Sequence, residues 1–235
     1  VKTKLLIIFA VVLLVCIPTV SFAAIAYDAS AQSGQGSGGV TWTATVTGTN
    51  TILFVGIRGD GASDLVTGVT FNTVAMTRIL AHNDGGNRWT YLYYLINPAT
   101  GAHTVSITAS GGLIWGNSIS YTGASQTGVP DASGKNSNAS ASTLTTTITT
   151  VAANSWAVTV AVSNTGQAAG TGSTQRQLYG SDTAFGIYDS NGPLSAGSNS
   201  MTVTANAEGF NTIMASFAPA ATALTRQIRG VGISR

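Results

Sequence analysis

Residues 88–108, RWTYLYYLINPATGAHTVSIT, set the densest aromatic run of the chain beside a strictly alternating one. From Trp89 to Ile96 both parities are apolar or aromatic, with Trp89, Tyr91, Tyr93 and Leu95 on one side and Leu92, Tyr94 and Ile96 on the other. This is the pattern of a strand covered on both faces, hence a central one. From His103 to Ala109, Val105, Ile107 and Ala109 alternate with Thr104, Ser106 and Thr108, which buries one face and wets the other. Asn97-Pro98-Ala99-Thr100-Gly101 interrupts pairing, because proline fixes φ and lacks an N–H while glycine tolerates positive φ. The stretch predicts two strands joined as a hairpin in an all-β protein.

Working outward, short strands are expected at Ile25–Ala29, Thr41–Thr47, Ile52–Ile57, Val66–Phe71 and Val74–Leu80 on the N-terminal side. On the C-terminal side they are expected at Asn117–Tyr121, Leu144–Thr150, Trp156–Val162, Gln175–Tyr179, Phe185–Asp189, Met201–Ala205 and Thr212–Ala218. Asn72-Thr73 predicts a tight hairpin. The glycine-rich Gln32–Gly39 and the long polar Thr122–Ser142 read as loops, and no exact internal repeat is found. Many short alternating strands separated by Gly, Ser, Asn and Pro, with charged residues at only 8%, predict a two-sheet antiparallel β-sandwich of jelly-roll or Greek-key type.

The N-terminus has the layout of a secretory signal peptide over residues 1–23. Lys2 and Lys4 precede an apolar run from Leu5 to Val20, and Ser21-Phe22-Ala23 supplies a small-residue cleavage site. The sandwich domain is expected over 24–220, followed by a basic C-terminal tail, 221–235. Cys16 is the single cysteine and falls in the leader, so the mature domain would rely on its core rather than on disulfides or thiolate metal sites. Removing the leader takes away Lys2 and Lys4. Arg226, Arg229 and Arg235 lie in the tail, which leaves the body slightly acidic and excludes a nucleic-acid-binding body. No stable membrane span is expected after cleavage.

Candidate chemistry is sparse. No Gly-x-Ser-x-Gly elbow or His-Glu-x-x-His pair occurs, and His82 and His103 read as a turn residue and a strand-start residue. Asp60-Gly61-Ala62-Ser63-Asp64 puts two carboxylates on one turn, so Asp60 and Asp64 are candidate calcium ligands. Trp89, Tyr91 and Tyr93 share a parity and are candidates for an aromatic platform against a sugar, with core packing as the alternative. In the tail, Ile228, Arg229, Val231 and Ile233 are candidates for an added strand on another subunit's sheet edge. Asn138-Ala139-Ser140 fits an N-glycosylation acceptor.

Five segments carry a resemblance: Ile52–Ile57 (ILFVGI), Val66–Ile79 (VTGVTFNTVAMTRI), Tyr94–Thr108 (YLINPATGAHTVSIT), Ser120–Ala132 (SYTGASQTGVPDA) and Ser155–Val162 (SWAVTVAV). In this order they resemble a β-sandwich module recurrent in predicted secreted bacterial surface proteins and in phage and metagenomic structural proteins. The likeness spans about Ala26–Ala218, rests on core strands and turns, and brings no catalytic residues with it. It implies surface or virion architecture. The expected function is therefore a secreted, non-enzymatic structural or adhesive module that associates with itself or with other surface proteins. The alternative is a carbohydrate-binding module whose partner is a glycan. No cofactor is expected apart from the candidate calcium.

Overall fold

The computed structural model describes residues 22–179 and 184–222. The leader before residue 22 and the tail beyond residue 222 lie outside the described residues. Among the described residues there are fourteen strands: β1 (Ala26–Gln32), β2 (Gly36–Val46), β3 (Ile52–Asp60), β4 (Val66–Phe71), β5 (Val74–Ala75), β6 (Thr77–Asn83), β7 (Arg88–Ile96), β8 (Gly101–Thr122), β9 (Ala132–Thr150), β10 (Trp156–Val162), β11 (Ala168–Ala169), β12 (Thr174–Leu178), β13 (Phe185–Asp189) and β14 (Gly197–Phe217). They form two antiparallel sheets packed face to face, so the protein is an all-β sandwich. The first sheet holds β1 to β8 and the second β9 to β14. No described helix is long and apolar enough to cross a membrane.

Each sheet is organised on one very long strand. The first part of β8 lies between β2 and β4, with Val105 opposite both Trp42 and Phe71. Its second part lies between β1 and β3, with Tyr121 opposite both Tyr27 and Ile52. The change from β4 to β3 falls at Gly111 and Gly112, both at positive φ, while β2 pairs on as far as Ile114 before β1 takes over; a Cβ on Gly112 would come within 2.5 Å of the Asp60 carbonyl oxygen. Only glycine fits this corner. The early strands of the sheet thereby fold back over β3 and β7. In the second sheet β14 plays the same part, bonded to β9 along its length, to β11 in its first part and to β10 in its second.

The folding-back produces three apolar layers. Phe54, Ile119, Tyr121, Trp156, Val158, Val160, Ile213 and Phe217 fill the space between the sheets. Trp42, Leu53, Val55, Ile57, Phe71, Tyr91, Tyr93 and Val105 fill the fold of the first sheet. Leu144, Ile148, Tyr188, Met201, Val203, Phe210 and Met214 fill that of the second. This explains why β3, β7 and β10 are apolar at both parities: each has a core on either face, and each fully buried large side chain contributes about 1.5–3 kcal/mol.

Val66–Phe71, Trp156–Val162 and Phe185–Asp189 lie where the sequence places them, and β7 is central, bonded to β3 and β6. The hairpin at Asn72-Thr73 is present, both residues having positive φ as a twist-matched two-residue turn requires. Other expectations need correction. Strands β7 and β8 are consecutive but not paired, because β3 lies between them; the Asn97–Gly101 turn is a crossover rather than a hairpin. Likewise β14 separates β9 from β10. The strands expected separately at 103–109 and 117–121 are parts of one long strand, β8, and those expected at 201–205 and 212–218 are parts of another, β14. The segment 122–142 is a loop only as far as residue 131, and the rest is the start of β9. Its exposed Ser, Asn and Ala residues carry no apolar alternation, which hid the strand from pattern reading.

Candidate functional site

The three aromatic candidates do share a face, as their parity requires, but it is the inner face of the first sheet. Tyr91 is fully buried, Tyr93 is 5% exposed and Trp89 is half-buried. The Trp89 and Tyr91 rings stack at 6.0 Å with 15° between planes, and the Tyr91 hydroxyl accepts a 2.9 Å bond from the Leu65 N–H. Burial pushes the Tyr91 hydroxyl up to about 12 and also raises Tyr93. These rings are core of the fold-back and present no open platform.

The two aspartates of the 60–64 turn point to different partners. Asp60 accepts a bidentate pair from Arg58, Nε at 2.9 Å and Nη2 at 2.7 Å. The Arg58 guanidinium lies 4.7 Å from the centre of the Trp115 ring. Asp64 is bonded to Arg78 Nη1 at 2.7 Å across an exposed surface. Each carboxylate is thus matched by its own guanidinium, and among the described residues no three His, Cys, Asp or Glu side chains converge to hold a metal. We expect the melting temperature to be the same in millimolar calcium and in EDTA; a calcium-dependent rise, lost in Asp60→Asn or Asp64→Asn, would restore the calcium site. The tail candidates Ile228, Arg229, Val231 and Ile233 lie outside the described residues.

What the structure brings together was not read from the sequence. Asp189 of β13, fully buried, accepts bonds from Arg176 Nε at 2.7 Å, the Tyr121 hydroxyl at 2.9 Å and the Asn191 N–H at 3.1 Å. Burial, reinforced by the Asp189 carboxylate, holds the Tyr121 hydroxyl well above its ordinary range. Arg176 also lies over the Tyr27 ring at 4.4 Å, so four strands from both sheets meet here. A second polar group joins the sheets at the other side: Arg88 pairs with Asp84 at 3.1 Å and donates to the Gly209 carbonyl at 3.0 Å, beside a shallow hollow that Ala139 and Asn164 also line. Both are interior struts; neither puts a nucleophile beside a base.

The surface with the most regular chemistry is the outer face of β9 and β14. Thr143, Thr145, Thr147 and Thr149 alternate with buried Leu144, Thr146, Ile148 and Thr150, so every second residue presents a hydroxyl to solvent. Across the ladder Thr145 bonds Thr202 at 2.9 Å and Thr147 bonds Ser200 at 2.7 Å, which fixes the side chains in rows. Among the described strands β9 pairs only with β14, its own start lies along part of the free edge, where the Asn136 side-chain amide donates to the Thr145 carbonyl at 2.7 Å, and from Asn136 to Thr150 it carries neither a charge nor a proline. Those are the usual means of blunting an open edge. The outer face of β2 repeats the theme with exposed Thr41, Thr43 and Thr45. The sequence signal was present in the TLTTTITT run of residues 143–150, but a Thr-rich alternation marks any half-buried strand and says nothing about an edge.

No protein family, curated protein or solved structure matches the chain.

Proposed function

We propose that the protein is a secreted, non-enzymatic surface module, structural or adhesive, that makes its contacts through the hydroxyl-lined face and open edge of β9. The observation that carries this reading is the ordered, uncharged row Thr143, Thr145, Thr147 and Thr149 on a strand that, among the described strands, is paired on one side only. Where the Asn136 amide does not already occupy it, as it does at the Thr145 carbonyl, such an edge offers backbone N–H and C=O groups to another strand, and the threonines flank it without charge repulsion. The polar groups inside serve cohesion of the sheets, which suits a scaffold rather than a catalyst. The tail adds a second means of self-association in this reading, with Ile228, Val231 and Ile233 pairing as a strand and Arg229 meeting the acidic body.

The test is retention of protein-coated beads. Beads carrying the mature chain should adhere to surfaces coated with the same chain, and Thr145→Lys with Thr147→Lys should cut retention several-fold without moving the melting temperature. Retention on polysaccharide surfaces alone, blocked by soluble sugar, would replace this reading with the carbohydrate-binding one. A chain lacking residues 221–235 should keep its melting temperature and lose any salt-sensitive oligomer seen by light scattering. Equal monomeric mass with and without the tail would remove the tail from the proposal.

A further inference from the structure

We infer that the chain is two copies of one strand module fused in tandem, and that the surface on which they meet is a self-complementary interface built to receive a second copy of the same module. This inference stands apart from the adhesive reading. Apart from the two-residue β5, which has no counterpart, the pairing scheme of the first sheet recurs in the second: β1 with β2 corresponds to β9, and β3, β4, β6, β7 and β8 to β10, β11, β12, β13 and β14. The correspondence holds at single-residue register. Ile52 opposes Tyr121 as Trp156 opposes Phe217. Trp42 opposes Val105 as Thr146 opposes Met201, and Gly68 opposes Thr108 as Ala168 opposes Thr204.

Details that no sandwich requires are repeated as well. The ladder of β6 with β7 slips just after Arg78, which opposes Tyr93; that of β12 with β13 slips just after Gln175, which opposes Tyr188. Asn50 and Asn154, two residues ahead of β3 and β10, both have positive φ, as do Gly101 and Gly197 at the starts of β8 and β14. Asp28 accepts from the Thr47 N–H and the Ser120 hydroxyl, each at 2.8 Å; Asp131 accepts from the Val151 N–H at 2.9 Å and the Ser216 hydroxyl at 3.2 Å. Thr47 and Val151 follow corresponding strand ends, and Ser120 and Ser216 occupy corresponding places in β8 and β14. A bulge, a left-handed turn residue and a carboxylate clamp at matching registers are independent features, and duplication accounts for all three.

The seam has the geometry of a two-fold. A residue touches its own counterpart only near such an axis. Tyr121 and Phe217 are counterparts, and their ring centres lie 4.9 Å apart across the two sheets. Gly56 and Val160 are counterparts, and a Cβ on Gly56 would lie 2.5 Å from Val160 Cγ2. Beyond the ends of β8 and β14 the chain segments run antiparallel: Ala124 bridges Pro219, and the Ala220 N–H donates to the Gly123 carbonyl at 2.8 Å. Gly123 corresponds to Pro219 and Ala124 to Ala220, so these two contacts exchange under the same rotation.

The experiment introduces a protease site after Gly128, in the segment between the copies, into the full chain. After cleavage, native mass spectrometry should show a one-to-one complex. After unfolding and refolding the cleaved mixture, pairs of like halves should appear beside the mixed pair, and Val160→Gly should raise the share of paired second halves by removing a valine–valine clash on the axis. Halves that part on cleavage, or refolding that returns only the mixed pair with and without Val160→Gly, would overturn the inference. A second measurement in the uncut chain needs no refolding. Gly56→Val and Val160→Gly should each lower the melting temperature by about 5–10 °C. The combined variant should return to within about 3 °C of the parent, because exchanging counterparts on an axis recreates the same valine-over-glycine contact. A combined loss equal to the sum of the single losses would place the contact off any axis and defeat the proposal.

Discussion

Asp189→Ala should destabilise the protein by about 3–5 kcal/mol, the range for removing one partner of a buried charge pair. The carboxylate is fully buried, and three donors converge on it from β8, β12 and the turn after β13. Its loss leaves the Arg176 guanidinium, itself 16% exposed, without its counter-charge and the Tyr121 hydroxyl without an acceptor in the central layer. The magnitude reflects uncompensated desolvation rather than the net worth of the pair. Asp189→Asn should recover part of the loss, since the amide oxygen can still accept from one donor. Urea unfolding of parent and variants gives the answer; a cost for Asp189→Ala under about 1 kcal/mol would show that water replaces the carboxylate freely at this place.

Trp156→Ala should cost about 3–5 kcal/mol, as large-to-small changes of buried tryptophan do. Trp156 opens β10, is 8% exposed, and packs its ring 5.7 Å from that of Tyr121 in the layer between the sheets. Trp156 also borders a small apolar hollow lined by Phe22, Ile25 and Pro193. Trp156→Phe should recover most of the loss. Equal thermal stability of Trp156→Ala and the parent would mean that the ring does not support the core.

The sequence was most legible where a strand has one period and one role. Val66–Phe71, Trp156–Val162 and Phe185–Asp189 are bounded by turn residues and filled by apolar or aromatic side chains, so pattern and structure agree to the residue. Legibility fails at the long strands. In β8 the run Ser110-Gly111-Gly112 reads as a turn because glycine pairs ordinarily break strands, whereas here they bend one without ending it. In β9 the exposed polar start carries no period at all. Pairing order is less legible still, since β7 and β8 are consecutive yet separated by β3, and nothing local in Asn97–Gly101 encodes which strand will intervene. The repeat of the module went unread for a related reason. Corresponding positions such as Trp42 and Thr146, or Gly56 and Val160, keep burial and register while changing residue type, so the likeness lives in pairing rather than in letters.

Among candidate functional residues the outcome is uneven. Aromatic parity in Trp89, Tyr91 and Tyr93 correctly groups three rings on one face, but parity cannot say whether a face looks inward or outward once a sheet folds over itself. The proximity of Asp60 and Asp64 in sequence could not reveal that Arg58 and Arg78 each claim one carboxylate. The Asp189, Arg176 and Tyr121 cluster was invisible because its members come from three strands of two sheets.

The first and last described segments run side by side, with Phe22 bridged to Ala221 and the Ala23 N–H donating to the Ala220 carbonyl at 2.8 Å. Polypeptide attached at either side therefore departs from nearly one point. In a chain that keeps residues 22 and 23, tension applied between two such attachments would open the Phe22–Ala221 bridge first and peel bonds one at a time, instead of shearing the long ladders of β8 and β14 together. Mounted at both ends, the body is a pendant knob beside a tether, not a link that carries the pull; a grip on the outer face of β9 would load many parallel hydrogen bonds at once.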